Sequence, residues 1–201
     1  MKRQWLTIRV AGFLLLAAVF LAASGLAELV TAVRSAVRSA RTEVALVTAD
    51  MRRDIVRLAR EDPGRSLAEI AAHPDLAATM QDALARAPSV LHVGVLSTEG
   101  VALAYTQEHS VGALIPTHPP LPDAAGTREA LRILRSFTDA PPTYQSETDL
   151  LSDGRPYGTI RVVVAGAFLW DGIKSRAARE FATAAVILGL AILSVVLLER
   201  I

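Results

Sequence analysis

The chain has 201 residues, of which 52% are hydrophobic and 20% are charged, so its apolar residues must be concentrated in part of the sequence. The net charge is only +1, with basic and acidic residues scattered throughout, which excludes the concentrated positive field of a nucleic-acid-binding protein. The chain has no cysteine, which excludes disulfides and thiolate chemistry.

The first apolar segment predicts a transmembrane helix over residues 10–30. No charge occurs in residues 10–27, which is close to the roughly 20 residues that cross a bilayer as a helix. Three basic residues precede it, which places residues 1–9 in the cytoplasm: Lys2, Arg3 and Arg9. A cleaved signal peptide is the alternative, with small residues at 22–24 or 25–27 as the cleavage site. The length of the apolar segment and the helical sequence that continues beyond it favour a retained anchor.

A second uncharged apolar segment predicts another transmembrane helix over residues 181–198. Two membrane crossings return residues 199–201 to the cytoplasm and leave residues 31–180 on the outer side of a bacterial inner membrane. The charge of that loop does not oppose this topology, because segments beyond roughly 60 residues are translocated largely regardless of charge.

Residues 31–61 predict a long helix that leaves the membrane, since the sequence after residue 28 has no Pro or Gly before Pro63. Apolar residues spaced three and four apart form a heptad seam along it, interrupted only by Asp54: Val33, Val37, Val44, Val47 and Met51. The seam can pack on the domain's own sheet or on the same helix of a second copy, which would form a homodimer. Arginines on the outer faces are either solvated or in contact with lipid head groups.

The residues between the long helix and the second apolar segment predict a mixed α and β domain, with its sheet within residues 88–166. Two hairpins turn at Gly100 and at Asp153-Gly154, and a Pro-rich loop covers residues 116–122. The expected helices are 66–72, 75–87, 127–135 and 168–179, and the expected strands are 90–96, 101–105, 143–151 and 157–165.

This order of elements resembles the extracytoplasmic PAS-like (Cache) sensors of bacterial receptors. The resemblance rests on the hairpin over residues 93–105, the nearby Val111-Gly112 and the late hairpin over residues 147–161. It implies an α+β fold with a central antiparallel sheet, a long N-terminal helix behind it, two flanking transmembrane helices and a small-ligand pocket in front. It also implies a homodimer that signals to a histidine kinase of a two-component system, a chemoreceptor or a nucleotide cyclase.

Only three residues follow Leu198, so two interpretations of the chain remain open. It is either the sensor portion of a longer product that continues into a cytoplasmic signalling domain, or a standalone membrane-anchored protein that binds and regulates another membrane complex.

The sequence lacks the motifs of the common enzyme classes, and we expect neither catalysis nor a cofactor. The four histidines lack the spacing of a metal site, and no metal is expected. Glu147 and Asp149 share a strand face, where paired carboxylates are more often an exposed rim than an acid and a base. His92 is interpreted as a hydrogen-bonded histidine on the sheet, with pH sensing as the alternative.

By the resemblance, a ligand pocket would be lined by the second strand, the loop and helix after it, and the late strands. The candidate ligand-binding residues are Tyr105, Thr106, His109, Arg132, Arg135, Tyr144 and Arg161. An Arg with a Tyr or His could bind a small carboxylate through charge-assisted hydrogen bonds. The alternative is that these residues are surface charges and aromatics packed in the sheet.

Overall fold

The computed structural model describes residues 2–123, 126–136, 141–152 and 154–199. The elements are α1 (Lys2–Glu61), α2 (Leu67–Ala71), α3 (Pro74–Arg86), β1 (Val90–Leu96), β2 (Ala102–Tyr105), a 3₁₀ turn (Glu108–Ser110), α4 (Thr127–Ser136), β3 (Thr143–Ser152), β4 (Arg155–Ala165) and α5 (Gly166–Glu199). The α+β class, the antiparallel sheet and the long N-terminal helix are therefore confirmed. Asp153 and residues 200 and 201 lie outside the described residues.

The sheet has four antiparallel strands in the order β2-β1-β4-β3. Its two hairpins join β1 to β2 and β3 to β4, and each uses a glycine with positive φ, 83° at Gly100 and 75° at Gly154. L side chains rarely adopt this conformation, which explains the glycine in both turns. The central pair joins β1 to β4, where β-branched residues such as Val93, Val95 and Val162 are fully buried.

Helix α1 lies against one face of this sheet, and its seam forms the core. The five seam residues, from Val33 to Met51, are between 0% and 6% exposed in the single chain. They belong to one cluster with Val93, Val95 and Ile160 of the sheet and with Ile133 of α4 and Ile173 of α5. The seam is therefore packed inside its own domain, and it leaves no free surface for the helix of a second copy. Of the two packing alternatives, the intramolecular one is observed.

Asp54 interrupts the seam without disturbing it, because it lies at the edge of the buried stripe. Its half-buried carboxylate accepts a hydrogen bond from the hydroxyl of Thr79 on α3 and lies 3.5 Å from Nε of Arg57. A buried carboxylate without partners would destabilise the fold, whereas this one joins α1 to α3. The polar position therefore fixes where α3 packs.

Helices α1 and α5 lie side by side along their apolar segments. Phe20 and Gly25 of α1 and Phe181 and Ile187 of α5 line a cavity of about 370 Å³ between the two helices. Among the residues whose side chains are described, one helix is long and apolar enough to cross a membrane. It is the part of α1 from Leu16 onward, with a mean hydropathy of 2.0 and 17% of its apolar window buried.

Candidate functional site

The face of the sheet that points away from α1 carries a polar row. Antiparallel pairing places Tyr105, Gly94, Arg161 and Glu147 next to one another across four strands, and directly paired residues point to the same face. A side chain at position 94 would collide with the ring of Tyr105 and approach the carbonyl oxygen of Ala104 to 2.9 Å. Glycine at this position therefore gives the Tyr105 ring its place in the row.

Arg161 lies at the centre of the row and is only 5% exposed. Its Nε donates a hydrogen bond to Oε1 of Glu147 at 2.8 Å, and its Nη2 forms an ion pair with the same oxygen at 2.7 Å. Its Nη1 donates to the carbonyl oxygens of Ile115 and Pro116 at 3.1 and 3.3 Å. A guanidinium stays charged when buried, so these acceptors are what make its burial tolerable.

The Pro-rich segment over residues 115–122, here called the strap, crosses this face and covers Arg161. Gln145 of β3 anchors it through its backbone, which accepts from the amide of Leu121 and donates to the carbonyl oxygen of Pro119, both at 2.9 Å. The side chain of Gln145 adds a third contact, because its Oε1 accepts from the amide of His118 at 2.7 Å. The strap is thus attached at one point to Arg161 and at another to the outer edge of β3.

Two ionisable rings, His92 of β1 and Tyr105 of β2, pack against each other and are partly withdrawn from water. Burial raises the pKa of Tyr105, and the charge of Arg161 opposes that rise. Burial lowers the pKa of His92, and His118 of the strap adds to the effect. The His92 ring packs against Tyr105 with 5.5 Å between ring centroids, and its Nδ1 lies 3.4 Å from the hydroxyl of Thr106. Both rings therefore favour their neutral forms.

The chemical groups of this arrangement are compatible with binding an anion. A buried guanidinium can hold a carboxylate by charge-assisted hydrogen bonds, and Tyr105 lies in the same row, one strand away across Gly94. Glu147 occupies the guanidinium in this structure, but its side chain is 42% exposed, and it lies at the outer end of the row. An incoming carboxylate would compete with Glu147 for Arg161.

The structure brings together only part of the set predicted to bind a ligand. Tyr105 and Arg161 share the polar row, and Thr106 lies beside His92. Tyr144 is buried in the core on the opposite face of the sheet, three positions from Glu147 and therefore of opposite parity along β3. The remaining three predicted residues are exposed, His109 on the 3₁₀ turn and Arg132 and Arg135 on α4.

Sequence reasoning missed four residues of the site. Glu147 is exposed, as the interpretation of an exposed rim predicted, but its pairing with Arg161 was not foreseen. Gly94, Gln145 and His118 were not singled out as site residues. Counting outward from the turn at Gly154 would pair Glu147 with Ile160. The register shift between Leu150 and Leu151 instead brings Glu147 opposite Arg161, and the sequence carries no clear signal for that shift.

No three His, Asp or Glu side chains within the described ranges lie close enough to hold a metal ion. Comparison with protein-family models, with curated proteins and with solved structures found no match for this chain. Its function is therefore argued from the geometry of the polar row and of the two long helices.

Replacing Arg161 with Gln is expected to release the strap from the sheet. The substitution removes the donors to Ile115 and Pro116 and leaves the Glu147 carboxylate without its cation. Hydrogen bonds to charged groups contribute about 1.5–3 kcal/mol each, so backbone amide exchange at His118 and Leu121 should accelerate at least about tenfold. The control is Arg155→Gln at the exposed start of β4. Equal acceleration in both variants, or none in Arg161→Gln, would contradict the role assigned to Arg161.

His92 is expected to make the folded protein less stable in acid. Because its pKa is lowered below the ordinary 6.5, the unfolded chain binds a proton that the folded chain rejects. Its contribution to the free energy of unfolding is complete above pH 6.5 and is lost as the pH falls through the lowered pKa of the folded state. Below pH 6.5, the Tm of the His92→Gln variant should therefore fall less steeply than that of the original protein. Thermal unfolding across a pH series measures this difference. The exposed His109→Gln serves as the control, and an unchanged decline in His92→Gln would refute the assignment.

Proposed function

We propose that the chain is the extracytoplasmic input module of a two-helix membrane receptor, a PAS-like (Cache) sensor that signals to a histidine kinase or an equivalent output. The observation that supports this best is the continuity of the two long helices. α1 and α5 each pass without interruption from the folded core into an apolar segment, and the two segments lie side by side. A domain attached in this way can transmit a change in its fold to the far side of a membrane.

A lipid environment for these segments agrees with their surface. Large apolar side chains of both helices are 50–73% exposed: Leu16, Val19, Phe20, Leu26, Phe181, Val186, Ile187, Leu190 and Leu193. In water such a surface would be a liability for aggregation, whereas a bilayer would solvate it. The proposed topology has both ends of the chain in the cytoplasm and residues 31–180 outside the inner membrane.

The proposed signal starts at Arg161 and reaches α5 through β4. A small carboxylate that takes the place of Glu147 would shift the Arg161 side chain, and with it the strap that this side chain binds. β4 ends at Ala165 and α5 begins at Gly166, so no flexible linker separates the strand from the helix. Ligand binding would then favour one of two positions of α5 relative to α1, which is a population shift. In a homodimer, the partner would contact surfaces outside the buried seam.

The topology is tested by locating the two ends of the protein. Full-length protein purified from membranes should retain its first apolar segment in intact-mass measurements. Reporter enzymes fused after residue 201 and within residues 31–180 should be active on opposite sides of the membrane. A mature chain that begins near residue 25, as a cleaved signal peptide requires, would rule out the two-helix receptor.

Ligand sensing is tested by thermal shift of the full chain in non-ionic detergent with small mono- and dicarboxylates. A carboxylate that binds only the folded state stabilises it by about 2.7 kcal/mol at one hundred times its Kd, so Tm should rise with concentration. Tyr105→Phe removes only a hydroxyl and should weaken the response, while Arg155→Gln should preserve it. No shift with any carboxylate, or the same shift with chloride, would exclude a carboxylate as the ligand.

A further inference from the structure

A broad groove runs between α1 and the outer edge of β3, on the side of the sheet opposite the polar row. Its volume is about 1120 Å³, above the range typical of small-molecule pockets. Its floor contains Ala45, Ala49 and Val56 of α1, and Ser146 and Thr148 of β3 border it. Five arginines of α1 line it against a single glutamate, Glu61: Arg41, Arg52, Arg53, Arg57 and Arg60. We call this surface the arginine groove.

The arginine groove opens where the strap leaves the edge of β3. The strap pairs with Gln145 in a parallel bridge at Pro120, but the pairing ends at Pro122, which has no N–H to donate. Arg41 binds the carbonyl oxygens of Leu121 and Pro122 at 3.4 and 3.2 Å, which directs the strap toward α1.

The edge of β3 is left open beyond this point. Gln145 directs its backbone groups outward to the strap, so alternation along the strand points those of Glu147 and Asp149 outward as well. Within the described residues, neither has a backbone partner on that side. An open strand edge of this kind accepts an added strand from another chain.

Two of the five arginines have no acidic partner among the described residues. Arg41, Arg53 and Arg57 form ion pairs with nearby carboxylates. Arg52 and Arg60 form none, although both are exposed at the groove. They lie eight positions apart on α1, about 12 Å along the helix. An extended chain covers that distance in about four residues, which brings two side chains of the same face to the two arginines.

Membrane lipid is too distant to be the occupant. With residues 10–30 in a bilayer, Arg52 lies about 33 Å and Arg60 about 45 Å further along α1. A second copy of the chain packed symmetrically on this face would place arginines against arginines, which is unfavourable. Charge and distance together favour an acidic segment from a different protein.

We propose that the arginine groove binds an extended acidic segment of a partner protein, which adds a strand to the open edge of β3 and places carboxylates on Arg52 and Arg60. The apolar floor accommodates side chains of the segment between its acidic positions. This site is separate from the carboxylate site at Arg161 and does not depend on it, whereas the exclusion of lipid as the occupant rests on the proposed membrane topology.

The test uses the full chain in non-ionic detergent and a short fluorescein-labelled peptide in which glutamate alternates with threonine. Fluorescence anisotropy should show binding, and the double variant Arg52→Gln/Arg60→Gln should weaken it about tenfold. The matched control, Arg128→Gln/Arg155→Gln, removes the same charge from exposed positions outside the groove and should leave affinity unchanged. Equal weakening in both variants would show nonspecific attraction and overturn the proposal.

Two further peptides test charge pairing and strand addition separately, with the protein unchanged. A glutamine version should bind at least about tenfold more weakly, because it cannot pair with the arginines. A version with N-methyl groups on alternate residues cannot donate to a strand edge, so methylation in one register should abolish binding and in the other should preserve it. Binding that survives both registers would exclude strand addition, and equally tight binding of a single-stranded oligonucleotide would assign the groove to polyanions in general.

Discussion

The structure depends on the burial of one stripe of α1. Its valines and its methionine belong to a single core with residues of the sheet, of α4 and of α5. A helix of 60 residues is about 90 Å long, and it cannot be supported by its own backbone hydrogen bonds alone. The position of the sheet relative to the apolar segments is therefore set by the packing of this stripe.

The second organising element is a charge placed where the core would otherwise exclude it. The charge of Arg161 is compensated by the carboxylate of Glu147 and by two carbonyl oxygens of the strap. Removal of one partner of a buried pair costs more than the pair contributes when it is intact, because the remaining charge is left without compensation. In the observed state the guanidinium is paired with its own glutamate, and the proposed ligand would have to replace that partner with another anion. The same strap ends beside the arginine groove, where Arg41 binds the carbonyl oxygens of Leu121 and Pro122.

Much of the fold could be predicted from the sequence because its elements have strong local signals. Three local signals are the spacing of Val33 to Met51, the glycines of the two hairpins and the prolines around α3. With them, the bounds of nearly every helix and strand were predicted to within about two residues. The partner of the seam could not be predicted, because a β-branched stripe packs equally well on a sheet or on another helix. Of the residues predicted to bind a ligand, Tyr105 and Arg161 lie in one row of the sheet, and their role stays a prediction. The pairing of Glu147 with Arg161 depends on a register shift within the β3–β4 hairpin, and Tyr144 lies on the core face of the sheet.

The strand order of the sheet has a consequence for how the protein reaches its native state. β4 is the last strand to be synthesised, yet it lies between β1 and β3 and pairs with both. Until it arrives, the hairpin of β1 and β2 presents an unpaired apolar edge that starts at Val90. Closing the central pair joins segments that are distant in the chain, and such contacts form slowly. We therefore expect an early intermediate that needs protection from aggregation. The second apolar segment follows β4 in the chain, so it is synthesised only after the last strand of the sheet.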